Sequence, residues 1–386
     1  MFILSYCKKK MNRDIERKIL LNPGPATTTD TVKMAQIVPD ICPRENDFKE
    51  LMASIRTDLL KIINAKDDEY VTVLFGGSGT SVMESSISSV VDYNKSLLII
   101  INGAYGKRME DIAKSYSIDY ISLEYKWGEP ISFDEVEKNI NENSKIGYMA
   151  MVHHETTTGI LNSIKKFSEL GKKYNKKLII DTISSYAGID IDINNTPVDY
   201  LMSTSNKCIQ GMPGIGFLIC NKKEIIKLKN IKPRCFYLSL YDEYSHIKKT
   251  GESRFTPPVQ VIYALRHAID EMFAEGLLNR YQRYQDNMNL LRSGLKELGF
   301  RFLLEKENES GILVSIKEPT VSSYSFEKMH DYLYENGITI YPGKLINNNT
   351  FRLAIIGDLQ KKDIQKVIMK LKYYLNRLAP LGNIYS

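Results

Sequence analysis

The lysine in the stretch LMSTSNKCIQG (residues 201–211), Lys207, lies among small and polar residues at the end of an apolar segment. Burial lowers the pKa of a lysine, and the neutral amine is the form that attacks a carbonyl carbon to form an imine. A surface lysine is the other interpretation of this stretch taken alone. Lys207 is therefore a candidate nucleophile whose role depends on what lies beside it.

A candidate partner is Asp181, which ends the apolar segment KKLIID (176–181), one predicted strand before Lys207. A carboxylate after a buried strand can orient a substrate or keep a ring nitrogen protonated. It can also simply cap the next turn of the chain. Both interpretations place the carboxylate at the end of a strand.

The glycine-rich segment GGSGT (76–80) follows an apolar run and precedes an amphipathic one. Glycines let backbone N–H groups approach an anion, and the positive end of the next helix points to the same place. The segment has neither the spacing of a dinucleotide-binding loop nor the Gly-Lys-Ser/Thr of a nucleoside triphosphate-binding loop. It predicts a small phosphate site at Ser78, Gly79 and Thr80, with a tight strand-to-helix turn as the alternative. Ser81 and Glu84 also have the spacing of a capping box.

Short apolar runs that alternate with amphipathic stretches must position these residues. Near-continuous apolar strands separated by helices are typical of a parallel sheet covered on both faces. The predicted strands are 70–75, 96–102, 145–152, 176–182 and 198–204, followed by 214–220, and the predicted helices include 81–91, 104–116 and 163–175.

The carboxyl ends of such strands bring the phosphate loop, the acid and the lysine to one edge of the sheet. That combination is typical of a pyridoxal phosphate (PLP) site, where the lysine forms the imine and the acid keeps the pyridinium nitrogen protonated. Thr156, in MVHHETTTGIL (151–161), is placed to hydrogen-bond the phenolic oxygen of the cofactor. We expect no metal at His153 and His154, because adjacent residues of a strand point to opposite faces.

The alternation ends after residue 220, and the C-terminal part mixes strands and helices as a smaller α+β unit. A long amphipathic helix is predicted over roughly 259–298, after the joint at Pro257 and Pro258. The predicted organisation is an extension (1–17), a large α/β domain (18–265) and a small C-terminal α+β domain (266–386), with the N-terminal segment packing on the small domain.

The composition of the 386-residue chain excludes several classes of protein. The net charge of +6 is spread along the chain, so the sequence does not predict nucleic-acid binding. No apolar run approaches the roughly 20 residues that span a bilayer. The five cysteines form no CxxC pair, which favours the reducing cytoplasm. The first 14 residues run from apolar to basic, the reverse of a signal peptide, and Met11 is an alternative start.

Nine segments resemble, in order, those of the class V PLP-dependent aminotransferases. Within that class they are most similar to the 2-aminoethylphosphonate–pyruvate aminotransferases, and the resemblance runs from about residue 18 to the end. The segments are NPGPATT (22–28), GGSGT (76–80), NGAYGKRM (102–109), HHETTTGIL (153–161), DTISSYAG (181–188), SNKCIQGMPG (205–214), RFTPP (254–258), IYPGK (340–344) and FRLAIIG (351–357).

This resemblance implies a PLP-dependent transferase of fold type I, with a mostly parallel seven-stranded sheet in the large domain. It implies that Lys207 forms the imine, that Asp181 contacts the pyridinium nitrogen and that Ser78, Gly79 and Thr80 hold the phosphate. Tyr105 matches the aromatic residue stacked on one face of the cofactor, and Ile183 matches the apolar residue on the other. Thr256 matches a residue that reaches the cofactor of the neighbouring subunit, which implies a homodimer with shared sites. Arg352 matches the arginine that binds the substrate carboxylate.

The activity implied is transfer of the amino group of 2-aminoethylphosphonate to pyruvate, giving phosphonoacetaldehyde and L-alanine. Further candidates for phosphonate contact are Arg44, Arg234 and Arg254. Another class V activity, alanine–glyoxylate or serine–pyruvate transamination, would use the same cofactor residues. A cysteine desulfurase is disfavoured because Cys208 directly follows the imine lysine, and a non-catalytic binding protein because Lys207 and Asp181 are both present.

Overall fold

The computed structural model describes residues 15–343, 349–378 and 384–385. The extension 1–17 therefore lies mostly outside the described residues, as does Lys344 of the segment IYPGK. The strands are, in chain order, β1 (Ile19–Leu20), β2 (Tyr70–Gly76), β3 (Ser96–Ile101), β4 (Tyr120–Glu124), β5 (Ile146–Val152), β6 (His154–Glu155), β7 (Ile160–Leu161), β8 (Lys177–Asp181), β9 (Tyr200–Thr204), β10 (Ile215–Asn221), β11 (Leu313–Lys317), β12 (Ile338–Thr339), β13 (Tyr341–Pro342) and β14 (Thr350–Ala354).

Helices follow most of these strands. Their bounds are Asp30–Met34, Asn46–Lys61, Gly79–Val90, Ala104–Ser115, Phe133–Glu142, Ile164–Tyr174, Lys222–Lys227, Leu240–Thr250, Val259–Glu275, Leu277–Glu297, Phe326–Glu335 and Lys361–Leu375, with short 3-10 turns at Leu228–Asn230 and Lys306–Asn308. Among the described residues, no helix is both long enough and apolar enough to cross a membrane.

A seven-stranded sheet forms the centre of the large unit, with strand order β2-β10-β9-β8-β5-β3-β4. The ladders β3·β4, β3·β5, β5·β8 and β8·β9 are parallel. Only β10 runs antiparallel, to β2 on one side and to β9 on the other. The mostly parallel seven-stranded sheet expected from the sequence is therefore confirmed.

Strand β3 explains why the sheet is covered on both faces. All six of its residues are buried, and the side chains alternate between two hydrophobic cores. Leu98 and Ile100 pack into one core, and Leu97, Ile99 and Ile101 pack into the other. Such a strand reads as one continuous apolar run, since neither face meets water.

The C-terminal part contains a second, three-stranded sheet of order β11-β14-β13, in which both ladders are antiparallel. The N-terminal segment joins this part, because β1 pairs in parallel with β12. The predicted boundary between residues 265 and 266 falls inside the helix Val259–Glu275 and stays a prediction.

The single long helix predicted over 259–298 is wrong, because two helices meet at Gly276. Gly276 adopts φ 86° and ψ 135°, outside the helical region, while its N–H still bonds to Met272 O. The amphipathic pattern continues on both sides of Gly276, so the pattern does not reveal where the first helix ends. The predicted strands also omit β4, an edge strand in which no residue is fully buried.

Candidate active site

The ends of four strands converge at one edge of the large sheet. Asp181 is the last residue of β8, and the turn after the neighbouring strand β9 carries Lys207. The phosphate loop follows β2, and the HHETTTG segment follows β5. These segments therefore lie at the carboxyl ends of their strands, which is where the sequence predicted that they would meet.

A cavity of about 460 Å³ lies at this edge. Six of the residues predicted to hold a cofactor line it: Ser78, Gly79, Thr80, Tyr105, Ile183 and Lys207. Its wall also contains residues that the sequence analysis did not single out: Gly77, Arg108, Ser184, Thr204, Asn206, Pro213 and Gly214.

Lys207 reaches into this cavity beneath the N-terminal segment. Its Nζ donates a hydrogen bond to Pro23 O, and a Cβ added at Gly24 would overlap the end of the lysine side chain. Burial lowers the pKa of Lys207 to about 8, and the charge of Arg108 contributes in the same direction. A substantial fraction of this amine is therefore neutral near physiological pH, as a nucleophile requires.

Asp181 is 3% exposed and is not among the residues that line the cavity, although its charge acts on Lys207, which does line it. Its Oδ1 accepts the N–H of Ile183 at 2.7 Å, which fixes the carboxylate against the next turn. Burial, together with the nearby Glu155 carboxylate, raises the pKa of Asp181 to about 7. A buried carboxylate with one backbone bond is well suited to pair with a cationic ring nitrogen, because such a partner would offset the cost of its burial.

The phosphate loop runs into the helix Gly79–Val90, and Ser78 is the N-cap residue of that helix. Among the described residues the Ser78 side chain makes no capping bond, so its hydroxyl is available to a ligand. The capping box predicted at Ser81 and Glu84 is wrong. Ser81 lies inside the helix and donates back to Ser78 O at 2.7 Å, while Glu84 accepts from the hydroxyl of Tyr116 at 2.5 Å.

The HHETTTG segment forms a buried turn beside β8. Thr156 is 1% exposed, and its Oγ1 has no hydrogen-bond partner among the described residues. A buried hydroxyl without a partner is costly unless a ligand supplies one. This agrees with the predicted contact between Thr156 and a cofactor oxygen, although Thr156 is not among the residues that line the cavity as defined above.

The two histidines of this segment are held by neighbours on the turn after β8. His153 Nδ1 lies 2.9 Å from Ser185 Oγ, and His154 Nδ1 lies 3.3 Å from Ser184 O. Burial lowers the pKa of His153 to about 3 and that of His154 to about 4, so both imidazoles are neutral. Within the described part of the chain, no three His, Cys, Asp or Glu residues form a group that could hold a metal ion.

Arg352, on β14, is 1% exposed and connects the small sheet to the site. Its Nη1 donates to Thr156 O at 3.0 Å, and its Nε and Nη2 donate to Pro342 O at 3.2 and 2.9 Å. Among the described residues these bonds use three of the five N–H groups of the guanidinium, which leaves two for a substrate anion.

The other arginines considered for substrate contact lie elsewhere in the chain. Arg44 is exposed and pairs with Glu252 at 2.6 Å. Arg234 donates to Ser88 O and Val91 O, at 3.2 and 2.6 Å. Within this chain neither residue lines the cavity that contains Lys207, so their predicted contact with a phosphonate stays a prediction.

Arg254 and Thr256 lie together in a separate aromatic cluster. The Arg254 guanidinium lies 5.3 Å from the ring of Phe236 and 5.0 Å from that of Phe255. Thr256 lines a small cavity there rather than the cavity of its own chain that contains Lys207. The predicted roles of Thr256 toward a neighbouring cofactor and of Arg254 toward a substrate therefore stay predictions.

Two charged residues of the site, Glu155 and Arg108, were missed by sequence reasoning. Glu155 is 0% exposed and bonds to backbone N–H groups of the helix that carries Tyr105. Arg108 lies one helical turn beyond Tyr105, in the segment NGAYGKRM. The signal for Arg108 was its i,i+3 spacing from Tyr105, which places the two side chains on the same face of a helix.

The model of the family described as "Aminotransferase class-V" matches residues 34–366 of this chain. The chain belongs to the class V aminotransferase family. The match spans the phosphate loop, Asp181, Lys207 and Arg352, and it confirms the family expected from the nine sequence segments.

Curated relatives of this class V aminotransferase share more than a third of its residues. A "2-aminoethylphosphonate--pyruvate transaminase" of Bacillus cereus (strain G9842) is 39% identical over 91% of this chain and 96% of the relative. One of the same name from Phocaeicola vulgatus is 38% identical over 92% of this chain and 98% of the relative. A "Bifunctional phosphonoacetaldehyde hydrolase/aminoethylphosphonate transaminase" of Clostridioides difficile is 38% identical over 93% of this chain, which spans only 56% of that longer protein.

Solved structures of aminotransferases share the fold. The alanine–glyoxylate aminotransferase of Nostoc sp. superposes with a TM-score of 0.86 and 26% identity, over 95% of this chain and 97% of that chain. The ureidoglycine–glyoxylate aminotransferase of Bacillus subtilis also has a TM-score of 0.86, at 20% identity over 97% of each chain.

Proposed function

We propose that this class V aminotransferase moves the amino group of 2-aminoethylphosphonate to pyruvate, giving phosphonoacetaldehyde and L-alanine. The observation that carries the proposal is the position of Lys207, a lysine of lowered pKa in the cavity that also contains the phosphate loop. The choice of amino donor is supported by the names of the relatives from Bacillus cereus and Phocaeicola vulgatus.

The proposal includes PLP as the cofactor, and the residues of the site fit this group. The cavity has an amine for the carbonyl group, and the N-terminus of the helix Gly79–Val90 lies beside it for the phosphate. Ile183 packs against Gly79. A Cβ added at Gly79 would lie 3.0 Å from Ile183 Cδ1, so position 79 has no room for a bulkier residue. The hydroxyl of Thr156, without a partner among the described residues, would meet the phenolic oxygen. When bound, PLP supplies an electrophilic carbonyl and an electron sink for the reacting bond.

Each residue then has one task in both halves of the reaction. Lys207 Nζ would hold the cofactor at rest and, once free, would take a proton from C2 of 2-aminoethylphosphonate, the carbon that carries the amino group, and return it on the cofactor side of the transferred nitrogen. The Asp181 carboxylate keeps the proton on the ring nitrogen. Tyr105 and Ile183, which line the cavity, would cover the two faces of the ring and exclude water from the reacting bond.

The part of the site that binds the substrate anion must accept a phosphonate and a carboxylate in turn. Arg352 meets this need, since its two free N–H groups can bind either anion in a forked geometry. Its fixed bonds to Thr156 O and Pro342 O hold the guanidinium in one orientation. The name of the Clostridioides difficile relative joins a transaminase to a phosphonoacetaldehyde hydrolase, which supports phosphonoacetaldehyde as the product here.

The proposal also includes a homodimer with shared active sites. The aromatic cluster around Thr256 supports it, because Phe236 is 75% exposed and Tyr237 44% exposed beside that residue. Large exposed aromatic residues are typical of surfaces that bind another protein. Mixing Lys207→Ala and Thr256→Ala chains tests the sharing. Hybrid dimers that regain activity above either parent support it, and strictly additive activity refutes it.

A cytoplasmic location completes the proposal. The cysteines in the described residues (Cys42, Cys208, Cys220 and Cys235) are all free, as expected for a reducing compartment.

A second candidate function is alanine–glyoxylate transamination, favoured by the likeness to the Nostoc sp. structure at 26% identity. The two activities differ in the amino donor and share the cofactor residues. An absorbance titration of the purified protein separates them.

The expected result is a cofactor band that disappears on addition of 2-aminoethylphosphonate and returns with pyruvate, and that Lys207→Ala abolishes. A band that responds only to alanine would leave the cofactor in place and refute the phosphonate substrate. The absence of any band after addition of PLP would refute the enzyme proposal as a whole.

A further inference from the structure

Arg108 lies at the phosphate end of the cavity, on the helix Ala104–Ser115. Its Nη1 donates to Thr80 Oγ1 at 3.2 Å, and its guanidinium lies 4.7 Å from the centre of the Tyr105 ring. Thr80 belongs to the phosphate loop and Tyr105 to the ring wall. Arg108 therefore contacts both parts of the proposed cofactor site.

The bond from Arg108 leaves Thr80 ready to donate. The Thr80 hydroxyl oxygen accepts from the guanidinium, so its own proton is free to point into the cavity. The backbone N–H groups of Gly79 and Thr80 open the helix Gly79–Val90, where no preceding helical turn supplies a carbonyl, whereas that of Ser81 bonds to Ser78 O. Side-chain and backbone donors of the phosphate loop thus lie beside Arg108.

The charges of the cavity wall give Arg108 a distinct role. Among the described residues that line the cavity, Arg108 and Lys207 are the charged ones. Arg108 has no carboxylate within ion-pair distance in the described part of the chain, whereas Lys107, the preceding residue, pairs with Glu110. A phosphate monoester carries about −1.5 to −2 charges at neutral pH, which exceeds the roughly +0.5 charge of a helix terminus. Lys207 is the amine assigned to the carbonyl group of the cofactor, so Arg108 is the charged residue of the wall that is left for the phosphate.

We propose that Arg108 binds the phosphate group of the cofactor through its guanidinium, together with Thr80 and the helix N-terminus. The inference deepens the proposed function and depends on PLP being the cofactor. It assigns to this residue a ligand contact rather than a role in stabilising the fold.

The alternative role for Arg108 is to fix the position of the Tyr105 ring through a cation–π contact with its face. The two roles predict different selectivity. A phosphate contact affects PLP and leaves pyridoxal, which lacks the phosphate, nearly unaffected. A ring-positioning contact affects both ligands equally, since both carry the same ring.

The test is the affinity of the full chain, freed of cofactor, for PLP and for pyridoxal, measured by equilibrium dialysis. Arg108→Gln is expected to weaken PLP binding by about tenfold or more, which corresponds to about 1.4 kcal/mol, and to change pyridoxal binding by less than about twofold. The matched control is Lys107→Gln, which removes the same charge one position away, outside the cavity wall, and is expected to change neither affinity. An equal loss for both ligands, or no loss for either, overturns the proposal.

A second measurement uses the unaltered chain, so it does not depend on the folding of a variant. An arginine-selective dicarbonyl reagent is applied with and without inorganic phosphate, and modification of Arg108 is followed by peptide mass spectrometry. Inorganic phosphate and PLP are expected to protect Arg108, and pyridoxal is not. Modification at the same rate with and without phosphate overturns the proposal.

The outcomes also separate this inference from the proposed function. If the wild-type chain binds PLP and Arg108→Gln binds it equally well, only the role of Arg108 fails. If the wild-type chain binds no PLP at all, the cofactor itself fails and the inference falls with it.

Discussion

Glu155 Oε2 accepts the backbone N–H of Tyr105 at 2.9 Å and that of Gly106 at 3.3 Å. These N–H groups belong to the first turn of the helix Ala104–Ser115, where no backbone carbonyl is available to them. The carboxylate also interacts favourably with the positive end of this helix, although burial raises the pKa of Glu155. A fully buried acid thus fixes the start of the helix that carries the ring wall of the site.

Removal of this carboxylate is expected to lower both stability and cofactor binding. Glu155→Ala removes the acceptor of the backbone N–H groups of Tyr105, Gly106 and Thr157, at a cost of about 1–3 kcal/mol in the free energy of unfolding. Glu155→Gln keeps one acceptor oxygen and is expected to lose less. Denaturant unfolding measures the first effect, and PLP titration of the folded variants measures the second.

The control for this experiment is Glu142→Ala, since Glu142 is an exposed glutamate that pairs with Lys138 on the surface. It is expected to leave unfolding and PLP binding unchanged. If Glu155→Ala unfolds at the same denaturant concentration as this control, the proposed role of the carboxylate is wrong.

The lowered pKa of Lys207 predicts how PLP capture depends on pH. Below about pH 8 the buried amine is protonated and has no lone pair, and above that value it is neutral. The capture rate of cofactor-free protein should therefore rise about tenfold per pH unit up to about pH 8 and then level off. Rapid-mixing absorbance measures the rate. A rate that keeps rising to pH 10, as for an ordinary lysine, would contradict the assigned environment.

Sequence reasoning located the core of the site because the strands of a doubly covered parallel sheet are continuous apolar runs. The ends of β8 and β9 could be identified from such runs, and Asp181 and Lys207 follow from where those runs stop. The family resemblance added Tyr105 and Ile183, which have no local signal of their own, and both line the cavity.

What escaped prediction depends on contacts between distant segments. Glu155 follows two histidines in an apolar region, and nothing in its neighbourhood indicates that it caps a helix 50 residues earlier in the chain. The break at Gly276 was missed because one glycine does not disturb an amphipathic period. The capping box at Ser81 was wrong because the N-cap of the helix lies three residues earlier, at Ser78 in the glycine loop.

Asp181→Asn tests the acid of the site with little change in shape. An uncharged amide cannot keep the ring nitrogen protonated, and loss of one charge-assisted hydrogen bond corresponds to roughly 10- to 100-fold in turnover. Lys207 is intact in this variant, so PLP should still bind and give its absorbance band. Stopped-flow measurement of each half-reaction separates the two effects. A variant with full turnover would show that Asp181 serves only as a cap for Ile183 N–H.

Gly24→Ala tests whether the N-terminal segment must approach Lys207 closely. The new Cβ would overlap the lysine side chain, and Gly24 also has a φ of +126°. The displaced segment would lose the bond from Ala26 N–H to Asn206 O, now 3.0 Å long, beside the lysine. PLP binding is therefore expected to weaken by about tenfold or more.

Gly337→Ala is the matched control, because Gly337 also has a positive φ, +75°, but an added Cβ there meets nothing within 4 Å. It also places a side chain at a positive φ, although one closer to the left-handed helical region, and it does so without the collision. Equal losses of PLP affinity in the two variants would mean that backbone strain alone explains the loss in Gly24→Ala. The close approach of Gly24 to Lys207 would then not matter for PLP binding.

Arg352→Gln tests the binding of both substrate anions at one residue. Glutamine keeps a polar end but has no positive charge, so it cannot bind an anion through a charged fork. We expect the KM values for 2-aminoethylphosphonate and for pyruvate to rise together, by about 10- to 100-fold. The affinity for PLP should change little, since none of the described bonds of Arg352 goes to the phosphate loop. Arg377→Gln, at an exposed arginine beside Tyr373, is the control and should alter neither KM. If only the KM for pyruvate rises, the phosphonate binds elsewhere, and the same measurement on Arg44, Arg234 and Arg254 variants then shows which arginine binds it.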